Sequence, residues 1–107
     1  MATFANGSMA VIFIAQRTSL DHGGYAVAAS AMDKIAKRQN GYLGMDSVRD
    51  TDGLGITVSY WESDVHALAW RDQSDHAAIC DAGRDRWYSS YSLHVAEVTR
   101  SYEWQKP

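Results

Sequence analysis

The chain has 107 residues, a formal net charge of -3, 46% hydrophobic and 21% charged residues, and a single cysteine, Cys80. That balance excludes a disordered chain and points to one folded domain, 1–107, with its core over about 9–104. No basic run or stripe marks a nucleic-acid surface, no apolar stretch approaches bilayer length, and no export signal is visible, so neither nucleic acid nor membrane is expected as a partner. One cysteine allows no internal disulfide, and a reducing cytoplasm is the expected location.

The first element is the apolar run "MAVIFIAQ", rich in branched residues, which reads as a strand. Both of its alternating sets are apolar: Ala10, Ile12 and Ile14 on one side, Val11, Phe13 and Ala15 on the other. A strand with one wet face would not look like this, so both faces are expected to be covered. "TSLDHGG" carries turn and cap residues. The spacing of Tyr25, Ala28, Ala29, Met32, Ile35 and Ala36 then predicts a helix, with Asp33 and Lys37 as an i,i+4 ion pair and Asn40-Gly41 as the stop.

"YLGMDSVR" and "GITVSYWE" flank "DTDG", where Asp52-Gly53 suits a tight hairpin needing positive φ. "SDVHALAWRD" predicts a short helix capped by Ser63. "DQSD" interrupts it, and Ser74 can cap a second helical piece running to about Tyr88. "YSLHVAEVTRSYEW" predicts a long last strand. The order β-α-β-β-α-β, with the second helix split, is a ferredoxin-like α+β arrangement. One sheet face would pack on the helices. The other would leave an apolar patch in a monomer, so a homodimer packed sheet to sheet is expected.

Chemistry concentrates between His66 and Tyr88. His66 and Trp70 are four apart and share a helix face. An unbroken helix would carry His76 off that face, but the "DQSD" break lets it return to the same space. His76, Ile79, Cys80, Gly83 and Trp87 form one stripe, with Arg84 and Tyr88 beside it. Histidine is a competent general base near neutral pH, and an arginine can stabilise developing negative charge. Each residue also has a plainer reading. Trp70 fills core between helix and sheet, Cys80 is a small buried hydrophobe, Arg84 braces the fold, and Trp87 packs on the last strand. His76 and Cys80 alone are too few to hold a metal, and no phosphate loop or flavin signature is present.

"GYLGMDSVRDTDGLGITVSYWES" and "AWRDQSDHAAICDAGRDRWYSSYSLHVAEVTRSY" together resemble the antibiotic biosynthesis monooxygenase domain family, over roughly Met9 to Trp104. The resemblance implies a dimeric α/β barrel with a pocket in each protomer between sheet and helices. It implies oxidation of a planar phenol or anthrone by O2 with no added cofactor. In such relatives an asparagine, a tryptophan and a tyrosine stand at positions that fall here on His66, Trp70 and His76. Trp70 and His76 are then the candidate catalytic residues, and His66, Cys80, Arg84 and Trp87 the candidate substrate contacts. A haem-degrading branch uses a histidine ten residues after the tryptophan, where this chain has Cys80, and a first-strand asparagine falling on Gln16 or Arg17. A ligand-binding dimer without catalysis is the second reading, and haem binding is the third.

Overall fold

The computed structural model describes residues 3–107, apart from the side chain of Ser74. Four antiparallel strands lie in the order β2-β3-β1-β4, with helices across one face. The strands are β1 Met9–Arg17, β2 Tyr42–Arg49, β3 Leu54–Trp61 and β4 Tyr88–Glu97. The helices are α1 His22–Lys37, α2 Asp64–Asp72 and α3 Ser74–Ala82, and α3 runs into a π-helical turn at Gly83–Trp87. This is the ferredoxin-like α+β fold with a split second helix. No helix among the described residues is long and apolar enough to cross a membrane.

Register explains why β1 is apolar on both sides. Val11, Phe13 and Ala15 pair across β3 with Ser59, Thr57 and Gly55, and across β4 with Val95, Leu93 and Tyr91. This row faces the helices. Ala10, Ile12 and Ile14, with Tyr60, Val58 and Ile56 beside them, face the other way. Within one chain that outer face is covered only locally, where the Phe4 ring stacks on Tyr60 at 4.1 Å. Val48, Leu54 and Ile56 remain exposed on it. The expectation that both faces of β1 are covered therefore holds for one face of the single chain.

The α1 stripe is as its spacing predicts, with Ala36 wholly buried and Asp33 paired with Lys37 at 2.9 Å. The helix starts earlier, at His22, because Asp21 caps it: its side chain accepts from the Gly24 amide at 3.1 Å. Gly23 and Gly24 thus belong to the first turn of the helix. Ser63 caps α2 as expected. The next piece is capped by Gln73, whose side chain accepts the His76 amide at 2.7 Å, and Ser74 is already the first helical residue. At the hairpin only Gly53 has positive φ, and the Asp50 carboxylate accepts from the amides of Asp52 and Leu54, each at 2.9 Å. Side-chain bonding here replaces the two-residue turn expected from Asp52-Gly53. The last strand also shifts: it begins at Tyr88 and ends at Glu97, because its partner β1 begins at Met9, opposite Glu97.

The tightest packing lies at one end of the sheet. Trp61, fully buried, meets Ala36, Ala67 and Trp70, with Met32, Ile35, Tyr42 and Met45 around them. Gly41 is required here for two reasons. Its φ is +83°, and a Cβ would collide with the His66 ring.

Candidate functional site

Between the sheet and the helices lies a cavity of about 670 Å³. Its floor is the inner sheet row, including Phe13, Thr57 and Leu93, and its roof comes from α1, α2, α3 and the π-helical turn. Most of the lining is apolar. Polar groups gather at its two ends.

At one end stands a stack of rings. Trp70 stacks with Trp61 at 5.5 Å between centroids and with His76 at 3.9 Å, the latter pair tilted by only 10°. The break between α2 and α3 makes this possible. Gln73 is extended, with ψ 128°, so the chain turns and brings the His76 ring back over Trp70. The His76 ring is fixed by a second contact, Nδ1 to the Trp70 carbonyl oxygen at 2.7 Å. A carbonyl only accepts, so Nδ1 carries the proton and Nε2 is left as the basic nitrogen. Burial pushes the imidazole below its ordinary value, partly offset by that same bond. At neutral pH the side chain is therefore an uncharged base.

The remaining predicted site residues divide. Cys80 and Trp87 line the same cavity as Trp70 and His76. Burial pushes the Cys80 thiol up, so it stays protonated at neutral pH. Trp87 is buried, and its indole donates to the Asp21 carboxylate at 3.3 Å. Arg84 reaches the cavity edge, engaged with Asp81 in an ion pair and donating to the Tyr91 hydroxyl at 3.3 Å. His66 lies apart from the cavity. It packs against Gly41, with Nδ1 2.7 Å from the Ser63 hydroxyl, because the α2 face that carries Trp70 inward turns His66 toward the start of β2. Among the described residues no group of three His, Cys, Asp or Glu side chains could hold a metal ion.

At the other end are Tyr25, Arg49 and Tyr88, which sequence reasoning did not assign to a cavity, and Arg17, which it met only as a first-strand position in the haem-degrading resemblance. The signal was present in strand phase. Arg17 follows Val11, Phe13 and Ala15 at period two, and Arg49 follows Met45 and Ser47, so both point to the covered face.

No family model matches the chain. Its fold is that of the antibiotic biosynthesis monooxygenase-like proteins. A putative antibiotic biosynthesis monooxygenase from Nitrosomonas europaea superimposes with a TM-score of 0.76 at 12% identity, covering 89% of this chain and 93% of the other. SnoaB, described as a cofactor-independent oxygenase from Streptomyces nogalater, superimposes with a TM-score of 0.71 at 10% identity, covering 96% of this chain and 97% of the other. Sequence likeness is higher to YqjZ of Bacillus subtilis (strain 168), an uncharacterized protein. It is 43% identical over 97 residues, 91% of this chain and 84% of the relative. The chain belongs to the family that contains YqjZ.

Proposed function

We propose that this protein is a cofactor-independent monooxygenase acting on a small planar aromatic substrate of the anthrone or quinol type. The observation that carries the reading is the neutral, positioned imidazole of His76 on the wall of a largely apolar cavity. A flat apolar body fits between Phe13 and Leu93 below and α1 above. Nε2 of His76 takes a proton from the activated C–H or O–H of the substrate, leaving a delocalised anion. That anion gives electrons to O2. For an anthrone methylene, one oxygen atom becomes the new carbonyl and the other leaves as water. The similarity in fold to an oxygenase described as cofactor-independent supports this chemistry. Trp70 holds His76 by stacking and through its carbonyl, so it is a positioning residue and a wall. Cys80 and Trp87 complete the lining, and Arg84 stands at its edge.

The test is O2 uptake with a panel of anthrones and hydroquinones and no added cofactor. Turnover that falls roughly 100-fold in His76→Gln is expected. No turnover across the panel, or unchanged turnover in that variant, overturns the assignment. His66 is expected to be dispensable for turnover, since it lies outside the cavity.

The outer sheet face supports a second element of the reading, a homodimer closed sheet to sheet as an α/β barrel. Ile12, Ile14, Val58 and Ile56 form an apolar field there, and self-association would remove it from water. Sedimentation at micromolar concentration is expected to give a dimer that Val58→Arg breaks. A wild-type monomer overturns it.

A further inference from the structure

The cavity end remote from His76 holds two guanidinium groups against one ring. The Arg17 Cζ lies 3.9 Å from the Tyr25 ring centroid, and the Arg49 Cζ 4.6 Å from it. Both side chains line the cavity. Two cations sharing a ring repel, and the ring's quadrupole offsets only part of this. Among the described residues neither arginine has an ion-pair partner. The ion pairs are Asp33–Lys37, Arg71–Asp72 and Arg84–Asp81. Asp21 is the carboxylate that feels Arg17, but its oxygens already accept from the Gly24 amide and the Trp87 indole.

The two arginines are held differently. Arg17 donates through Nη1 to the carbonyls of Thr18 and Trp87 at 3.1 and 3.0 Å, and its Nη2 lies 3.0 Å from His22 Nδ1. These contacts fix its plane and leave its charge unneutralised. Arg49 is held over Tyr25 by ring contact, and among the described residues its guanidinium makes no side-chain hydrogen bond. In register across the sheet Arg49 is followed by Gly55 and then Ala15, and the missing side chain at Gly55 lets Arg49 lie across it, with Nε 3.5 Å from where a Cβ would stand. Tyr88 closes the group. Its ring meets Tyr25 edge-on at 6.1 Å, and burial above all pushes its phenol well above its ordinary value, so it stays uncharged.

We propose that Arg17 and Arg49 form a subsite for a carboxylate carried by the aromatic substrate, anchoring that end while the ring system extends toward His76. This rests on the oxygenase reading for the identity of the aromatic body. A carboxylate is planar and accepts two parallel N–H bonds, which matches a guanidinium edge better than a point cation would. An anion placed there meets two cations in a partly dry site, whereas a neutral analogue leaves them uncompensated. The subsite selects substrates by charge and sets their direction in the cavity.

The experiment is calorimetric binding of an anthraquinone carboxylic acid, its carboxamide and the unsubstituted parent to the intact protein. The carboxylate is expected to bind about tenfold or more tightly than the carboxamide, with the margin shrinking as salt rises. Arg49→Gln is expected to remove most of that margin while changing carboxamide affinity less than about twofold. Arg49 is the variant of choice because Arg17 also holds two backbone carbonyls. Arg17→Lys, which keeps charge without the fork, gives an independent reading and is expected to lose part of the margin. Equal binding of carboxylate and carboxamide, or an unchanged margin in Arg49→Gln, overturns the subsite and leaves the aromatic cavity standing. Selective carboxylate binding without O2 uptake supports the subsite while overturning oxygenation. Failure of all three probes to bind overturns both.

Discussion

The two ends of the cavity are built on opposite principles. At the Trp61 end, rings and small side chains close on one another: Trp61 is fully buried and Trp70 is nearly so, stacked with Trp61 and His76. At the Arg17 end, charged and hydroxyl groups gather with little to neutralise them. Burial of apolar area stabilises a fold, while uncompensated cations in a cleft work against it and persist where something binds. The first end therefore carries stability and holds the base in place. The second is where the proposed carboxylate subsite lies. His76 stands at the first end, half-buried against Trp70, with Nδ1 bonded to the Trp70 carbonyl.

Substitutions can break this contrast or sharpen it. The largest effect is expected from Trp61→Ala, which empties the centre of the packed end. Such truncations cost about 3–5 kcal/mol, and thermal unfolding followed by circular dichroism should show it. A small loss would mean that the packed end is not the stable one.

Gly41→Ala comes next. It imposes a side chain at positive φ and drives a methyl into the His66 ring, so a loss of roughly 1–3 kcal/mol in urea unfolding is expected. A neutral result would show that the β2 entry and His66 move together freely.

His76 gives an intermediate, pH-dependent effect. Its folded value lies below that of the unfolded chain, so the unfolded state takes up the proton first as pH falls. Stability from this group is complete above about 6.5 and is lost as pH falls through the folded value. The urea midpoint is expected to be flat above neutrality and to drop toward pH 5. His76→Gln should remove that part of the drop. A midpoint that instead rises on acidification would contradict a buried neutral imidazole.

The smallest effect is expected from Arg49→Gln. Removing a cation that has no ion-pair partner should change stability by less than about 0.5 kcal/mol, in contrast to its effect on ligand choice. A large loss of stability would turn the cationic end from a binding feature into a structural one.

Much of the fold could be read directly. Period-two and helical spacing located the strands and helices, and Ser63 and the Asp33–Lys37 pair behave as their positions imply. The stripe of His76, Ile79, Cys80 and Trp87 does line one cavity. The errors were local and shared a cause. Side chains bonding to backbone moved the helix starts to His22 and Ser74 and reshaped the Asp50–Leu54 turn. Such bonds depend on a few tenths of an ångström, which composition and spacing do not encode.

The site was legible in part. Helical spacing pairs His66 with Trp70, yet only Trp70 faces the cavity, because two residues on one helix face can still meet different neighbours. Arg17 and Arg49 lie 32 residues apart and come together only when β1 and β2 flank β3 and both guanidinium groups meet the Tyr25 ring of α1. By itself the sequence determined the element order, the apolar faces and the hinge that frees His76 to turn, since these follow from local periodicity. The tertiary structure decided which nitrogen of His76 is basic, which face His66 turns to and where the cations converge. The cations converge through contacts between segments distant in the chain, while the His76 and His66 bonds are short-range but need the turn at Gln73 and the packing at Gly41, and spacing along a strand or helix carries no information about either.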